Sequence, residues 1–354
     1  MSKRYEIVLN DILDKISKRI YNAGDMLPTE SSMLSTYGVS RITIQKAMSI
    51  LVSRNIVERT AGRGTFVKDS STEQITSNSN GVYAIVTPFQ EPETLKVIRG
   101  AQKIMSENNQ YLMLAFTERD SQNEPVVLDK LINDGVKGLI IYTLNSSCNE
   151  VYYGKLFRGN VPVVFIDKGI TGLTTDMVLS NNNDGICQGM THLIQMGHRN
   201  IAYVSRPIKT GTSLSERFNS YILNMREHCF PITASTVCIS EPETLIDRLD
   251  ATIEAAPNTT AVMCATDDVA IRVYDWASLR GLRIPEDISV CGFDDNYYSA
   301  TMTPPLTTVA QNFESIGMQA AELLLNINNS YTCNKQVIYI PTELIKRNSV
   351  KNLN

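Results

Sequence analysis

Acidic residues recur where a folded chain can gather them. Asp167-Lys168 follows Val163-Val-Phe-Ile166, Thr266-Asp267-Asp268 follows Val262-Met-Cys-Ala265, and Asp294-Asp295 follows Val290-Cys-Gly-Phe293. Each apolar tetrad reads as a strand, so each acid stands at a strand's carboxyl end, where open parallel α/β sheets form their ligand crevice. Carboxylates accept from hydroxyl groups, while Arg217 or Lys168 would donate to them, and such a mixture suits a polyhydroxylated ligand. A lone Asp at a strand end more often caps a helix or holds a turn, as Asp267 or Asp268 could before a helix at 268–281. Arg217 could equally be a solvated helix residue. Repetition of the pattern at several strand ends favours a pocket. Asp267 with Asp294 could also be the acid/base pair of a carbohydrate-cleaving enzyme, but no nucleophile motif and no metal-ligating set stands out. No catalytic residue, metal or cofactor is therefore expected.

A second constellation lies near the start. Ser40-Arg41-Ile42-Thr43-Ile44-Gln45 puts hydroxyls, a guanidinium and an amide on the first turns of a short helix. The major groove of B-DNA admits such a helix, with Arg matching guanine, Gln matching adenine, and Ser or Thr holding phosphate. Gly62-Arg63-Gly64 supplies a turn with backbone freedom and one cation. Charge agrees with this reading. Residues 1–68 carry 11 Lys and Arg against 6 Asp and Glu, a net +5, whereas the remainder carries 22 against 31, a net -9. A basic head on an acidic body is suited to a polyanion.

The elements that must position these residues can be read from periodicity. Ile7, Val8, Ile12, Ile16 and Ile20 recur at helical spacing through residues 5–21. Thr29 can cap a second helix ending near Tyr37 and Gly38, and Ser40 a third whose inner face is Ile44, Ala47, Met48 and Leu51. Residues 56–59 and 64–67 read as a hairpin, completing a winged helix-turn-helix plan over residues 1–68. Residues 69–81 are polar except for Ile75 and read as a linker. From Val82 onward, apolar strands at 83–87, 111–116, 138–142, 163–167, 201–205, 261–265 and 289–293 alternate with helical stretches such as 93–107, 184–196 and 268–281. That alternation predicts parallel α/β sheets, and 273 residues are too many for one sheet, so two lobes are expected over 82–354.

Composition limits the alternatives. With 354 residues, 43% of them hydrophobic and 20% charged, the chain has the make-up of a soluble globular protein. No apolar run approaches the ~20 residues of a membrane span, and the start lacks the apolar stretch of a secretory signal. The seven cysteines are scattered with no Cys-x-x-Cys, which suits a reducing compartment. A cytoplasmic protein without a membrane partner is expected.

The wording of the head, Leu27-Pro-Thr-Glu-Ser-Ser-Met-Leu-Ser-Thr-Tyr-Gly-Val-Ser-Arg-Ile-Thr-Ile-Gln45 with Glu58-Arg-Thr-Ala-Gly-Arg-Gly-Thr-Phe-Val67, resembles the GntR family of bacterial transcription regulators. The resemblance implies that Glu30, Ser31, Ser40, Arg41, Thr43 and Gln45 face DNA. It gives the wing to Gly62 and Arg63, and a phosphate contact to Arg4 or its neighbour Lys3. Ser31 and Gln45 stand where many members carry Arg, which points to a different base preference, with Gln45 suited to adenine.

The body resembles the LacI and ribose-binding-protein superfamily through Gly197-His-Arg-Asn-Ile-Ala-Tyr-Val204, Ser213-Leu-Ser-Glu-Arg217, Thr266-Asp-Asp-Val-Ala270, Gly281-Leu-Arg-Ile-Pro-Glu-Asp-Ile-Ser-Val-Cys-Gly-Phe-Asp-Asp295 and Pro304-Pro-Leu-Thr-Thr-Val-Ala-Gln-Asn312. The resemblance implies ligand contacts from Asp167, Lys168, Ser213, Arg217, Asp267, Asp294 and Gln311. Glu93 is implied as a further ligand contact, standing where an aromatic residue is common. A GntR-like head on a LacI-like body is the arrangement of arabinose repressors. What this implies is a homodimeric transcription regulator that binds double-stranded operator DNA and is released from a carbohydrate operon by a monosaccharide, L-arabinose or L-fucose. A carbohydrate-binding protein or enzyme with no DNA-binding role is the alternative.

Overall fold

The computed structural model describes residues 4–18, 20–53, 56–60, 63–68, 80–118, 120, 122–144, 150–157, 159, 161–170, 172–208, 213–329 and 335–354. The chain divides into two units, Met1–Gly81 and Val82–Asn354. Residues 69–79 of the expected linker, Gly62 of the expected wing tip, and Lys3 lie outside the described residues, as does the side chain of Arg4.

The head holds helices α1 (Arg4–Ser17), α2 (Glu30–Tyr37) and α3 (Arg41–Ser53), then an antiparallel hairpin of β1 (Val57–Thr60) and β2 (Gly64–Val67). Thr29 caps α2 by accepting from the Ser32 N–H at 3.3 Å, and Gly38 ends it with a φ of 60°, a left-handed turn that suits glycine. Ile44, Ala47, Met48 and Leu51 fill the centre from α3. The α1 stripe differs from the expected one. Val8, Leu9, Ile12 and Leu13 are buried, whereas Ile7 and Ile20 are more than half exposed. Ile7 lies one residue, 100° of helix, off the stripe, and α1 stops at Ser17, so Ile20 falls outside its register.

The body contains two six-stranded sheets. The first has the order β13-β7-β6-β5-β3-β4 and is parallel throughout. Its strands are β3 (Val82–Thr87), β4 (Tyr111–Phe116), β5 (Leu139–Ile141), β6 (Val163–Ile166), β7 (Asp176–Ser180) and β13 (Val337–Ile340). The second has the order β14-β12-β11-β10-β8-β9, parallel except for β14 against β12. It is built from β8 (Ile201–Ser205), β9 (Val237–Ile239), β10 (Ala261–Cys264), β11 (Ser289–Asp294), β12 (Thr307–Gln311) and β14 (Thr342–Ile345). Helices cover both faces of each sheet: α4 (Pro92–Glu107), α5 (Asn123–Asn133), α6 (Glu150–Leu156) and α11 (Phe313–Asn329) in the first lobe, and α7 (Asn182–Gln195), α8 (Ser213–Glu227), α9 (Leu245–Ala255) and α10 (Asp267–Leu279) in the second.

Strand periodicity builds these layers. Along β3, Tyr83 and Ile85 enter the core under α4 and α11, while Ala84 and Val86 enter the core on the opposite face. Along β10, Val262 and Cys264 face α9 and α10, and Ala261 and Met263 face α7 and α8. The chain passes between lobes three times, at Ser180 to Asn182, at Gln311 to Phe313, and through the single residue Pro341. Across the last of these, two consecutive strands serve different sheets. Gly100 and Gly317 let α4 and α11 touch at the backbone: a Cβ on either would lie 2.0 Å or 1.9 Å from a carbonyl oxygen of the other helix.

Candidate functional site

On the head, the first turns of α3 present the expected reading residues. Arg41 and Gln45 are exposed and Thr43 is half-buried. Ser40 precedes the helix, and its Oγ accepts from the Thr43 N–H at 3.3 Å and lies 2.8 Å from Thr43 Oγ1. Ser31 is exposed on α2, its Oγ 3.0 Å from the capping hydroxyl of Thr29. Glu30 opens α2, and both of its oxygens take donors: Arg59 Nη2 at 3.0 Å and Gln45 Nε2 at 3.4 Å, with Arg41 Nε 3.7 Å away. Arg63 is exposed at the turn before β2.

In the body, the carboxyl ends of the strands meet between the lobes. Arg217 of α8 is buried there with 2% exposure. Its Nε donates to Asn182 Oδ1 at 2.8 Å, and its Nη1 donates to the Ala265 carbonyl at 2.8 Å and to Asp294 Oδ1 at 3.1 Å. The guanidinium lies over the Phe293 ring, 3.7 Å from its centroid. Gln311 Nε2 donates to the same Asp294 oxygen at 2.6 Å, and Gln311 Oε1 accepts from Ser180, which ends β7 of the first lobe. Burial raises the Asp294 carboxyl above the ordinary range, and the Arg217 charge opposes that rise. Asp294 and Asp295 have φ of 124° and 53°, and Asp167 has 66°. These are backbone conformations that non-glycine residues rarely adopt, and they occur where the chain turns off β11 and β6.

From the first lobe, Asp167 and Lys168 follow β6, and Lys168 Nζ donates to the Leu144 carbonyl at 3.1 Å. Glu93, in the first turn of α4, accepts across the cleft from the Tyr297 N–H at 3.3 Å. Ser213 opens α8, four residues before Arg217, and is half-buried. Asp294, Arg217 and Gln311 are thus joined in one hydrogen-bonded group, with Glu93 at a second bridge between the lobes.

Asp267 is placed differently from the expectation that it contacts a ligand. It is fully buried, and its carboxylate accepts from Thr308 Oγ1 at 2.6 Å, Ser299 Oγ at 2.6 Å and the Asn296 N–H at 2.9 Å. The carboxylate occupies the space beside Gly292, where a Cβ would come within 2.2 Å of it. The helix cap is Thr266, whose Oγ1 accepts from the Val269 N–H. Asp267 therefore anchors the segment that carries Asn296 and Tyr297, and no part of it reaches solvent.

Three further side chains stand at strand ends. Tyr142 follows β5 with its ring edge-to-face on Phe89 after β3, the centroids 4.7 Å apart. Burial holds the Tyr142 hydroxyl well above its ordinary pKa, aided by Asp167 and Asp294 and opposed by Arg217 and Arg206. Arg206 follows β8 and is exposed. The strand-end rule that singled out Asp167 applies equally to Phe89, Tyr142 and Arg206, although its use on acids alone passed over them. Among the described residues no three His, Cys, Asp or Glu side chains form a metal-ligating group, and no helix is long and apolar enough to cross a membrane.

Residues 4–67 match the model of the gntR family of bacterial regulatory proteins, and residues 190–350 match that of the periplasmic binding protein-like domain. The chain joins a GntR-type head to a periplasmic-binding-protein-like body. It is 28% identical to an arabinose metabolism transcriptional repressor of Geobacillus stearothermophilus, over 99% of this chain and 98% of that protein. A LacI-family regulator, CCPA of Weissella paramesenteroides, solved with bound glucose, matches 77% of this chain and 99% of its own at 25% identity and a TM-score of 0.64. A cellobiose complex of the transcriptional regulator CelR matches 91% of this chain and all of its own at 21% identity and a TM-score of 0.68, a likeness of fold. The relative matched along nearly its whole length is thus a regulator of transcription.

Proposed function

We propose that the chain is a cytoplasmic repressor of a carbohydrate operon, released from operator DNA by a neutral monosaccharide. Residues 1–68 read the DNA, 69–81 connect, and 82–354 bind the effector and pair two copies. The observation that carries this reading is the cleft built around Arg217. A buried guanidinium is paired with Asp294, which also accepts from Gln311, while the strand ends of the other lobe carry Asp167 and the Phe89–Tyr142 pair. Donors and acceptors of that kind suit sugar hydroxyls, and aromatic faces suit the C–H surface of a sugar ring. The full-length likeness to an arabinose metabolism repressor supports L-arabinose as the effector, with L-fucose the rival. L-Fucose carries the opposite configuration at C2, C3 and C4 besides its methyl group, so the placing of the cleft's donors and acceptors decides between the two.

A regulator rather than an enzyme is supported by Asp267, whose oxygens are taken by three donors of its own fold and so are withheld from acid/base work. Homodimerisation is supported by the edge strand β4, where Tyr111, Met113 and Leu114 are all more than a third exposed. Two heads would read two half-sites of a near-palindromic operator.

The deciding experiment titrates the full chain calorimetrically with L-arabinose, L-fucose, D-ribose and D-galactose, alone and with a duplex selected from a random-sequence pool. One sugar is expected to bind and to lower DNA affinity, and by linkage the duplex lowers sugar affinity by the same factor. Sugar turnover, or sugar binding that leaves DNA affinity unchanged, refutes the proposal.

A further inference from the structure

One carboxylate on the head collects side chains from three elements. Glu30 Oε2 faces Gln45 and Arg41 of α3, the residues expected to enter the groove, while Glu30 Oε1 accepts from Arg59 on β1. Arg59 belongs to neither helix, yet the shared carboxylate fixes it beside the reading pair, on the other oxygen. Its side chain is about half exposed (48%), and only Nη2 is held by Glu30. A cation fixed to the flank of a groove-reading row meets the phosphates that line the groove rather than the base edges on its floor. Tethering in the free protein also reduces the side-chain freedom that binding would otherwise remove.

We propose that Arg59 is a phosphate-contacting residue of the DNA interface and that Glu30 is the positioning residue that holds it there. This rests on the DNA-binding reading above and adds a residue outside the recognition helix and the wing tip. The GntR-like wording of the sequence did not assign it.

The test uses the full-length chain, the selected duplex and a shuffled duplex of the same composition. Arg59→Gln is expected to weaken both duplexes by the same factor, about tenfold at low salt, and to reduce the slope of log affinity against log salt by about 1. Arg59→Lys, which keeps the charge, is expected to keep the slope. Glu30→Gln frees Arg59 and removes a negative charge, so it is expected to tighten the shuffled duplex and to narrow the gap between the two duplexes. Should Arg59→Gln fail to fold, single neutral methylphosphonate linkages are scanned through the selected duplex. The wild type is then expected to lose affinity at one position where Glu30→Gln does not. An unchanged slope in folded Arg59→Gln, or a loss confined to the selected duplex, overturns the assignment, as does a methylphosphonate scan in which Glu30→Gln matches the wild type. A wild-type chain that retains no duplex from the pool defeats the DNA-binding reading itself, a different outcome from a chain that binds DNA indifferently to residue 59.

Discussion

At the scale of single residues, Arg217 and Asp294 hold the most consequence. Removing one partner of a buried ion pair costs about 3–5 kcal/mol, because the other charge is left uncompensated. Arg217→Ala is therefore expected to lower the thermal midpoint markedly and to abolish sugar binding in calorimetry. Arg217→Lys is the milder test: it keeps the charge but loses the planar fork that reaches Asn182, Ala265 and Asp294 together. His198 offers a pH test. Its Nε2 faces the Lys351 carbonyl, which can only accept, so Nε2 carries the proton and Nδ1 accepts from Thr260 Oγ1. Burial lowers its pKa below the ordinary 6.5. Folding then excludes a proton, so the stability it contributes is complete above 6.5 and is lost as pH falls from there toward the lower folded value. Burial-raised Asp267 and Asp294 act with opposite sign, losing stability as pH rises from the ordinary carboxyl range. The His198 share is isolated by subtracting the denaturation curve of His198→Gln. A difference that stays flat between pH 7 and 5 contradicts it.

At the scale of elements, the contact of α4 with α11 is the tightest constraint. Gly317→Ala must push the helices apart, since its Cβ would lie 1.9 Å from the Val97 carbonyl. Overpacking of this kind costs about 1–3 kcal/mol, to be read from urea denaturation. Here the limits of sequence reading are also clearest. β3, β4, β5, β6, β8, β10 and β11 were legible because each is a short apolar run, and the acids at their ends were legible as chemistry, whereas β7 (Asp176–Ser180) and β9 (Val237–Ile239) were passed over. The burial of Asp267 was not, because it depends on Gly292 and Thr308, which come from strands beside it rather than from its own segment. Tyr142 and Phe89 were visible as letters, but their pairing needs β3 and β5 to be neighbours in the sheet. β13 and β14 were not read as strands, and their split between lobes across Pro341 leaves no local mark.

At the scale of the whole molecule, lobe closure and pairing of copies become measurable. The lobes already touch through Glu93 with Tyr297 and through Ser180 with Gln311, so the effector is expected to stabilise a closed form rather than create one. Glu93→Ala is expected to weaken sugar binding several-fold without lowering the unfolding midpoint, as a calorimetric and melting series would show. Met113→Glu on β4 is expected to give a monomer in sedimentation and to cut operator affinity at low protein concentration. A last consequence concerns synthesis on the ribosome. The sheet that begins at Val82 receives one of its covering helices only from residues 313–329 and an edge strand only from 337–340. Through more than a hundred intervening residues of translation, Ile85, Ile140 and Val164 wait partly uncovered for partners still unmade. A message cut short before Phe313 is therefore expected to yield a first lobe whose sheet keeps one apolar face uncovered and prone to aggregate.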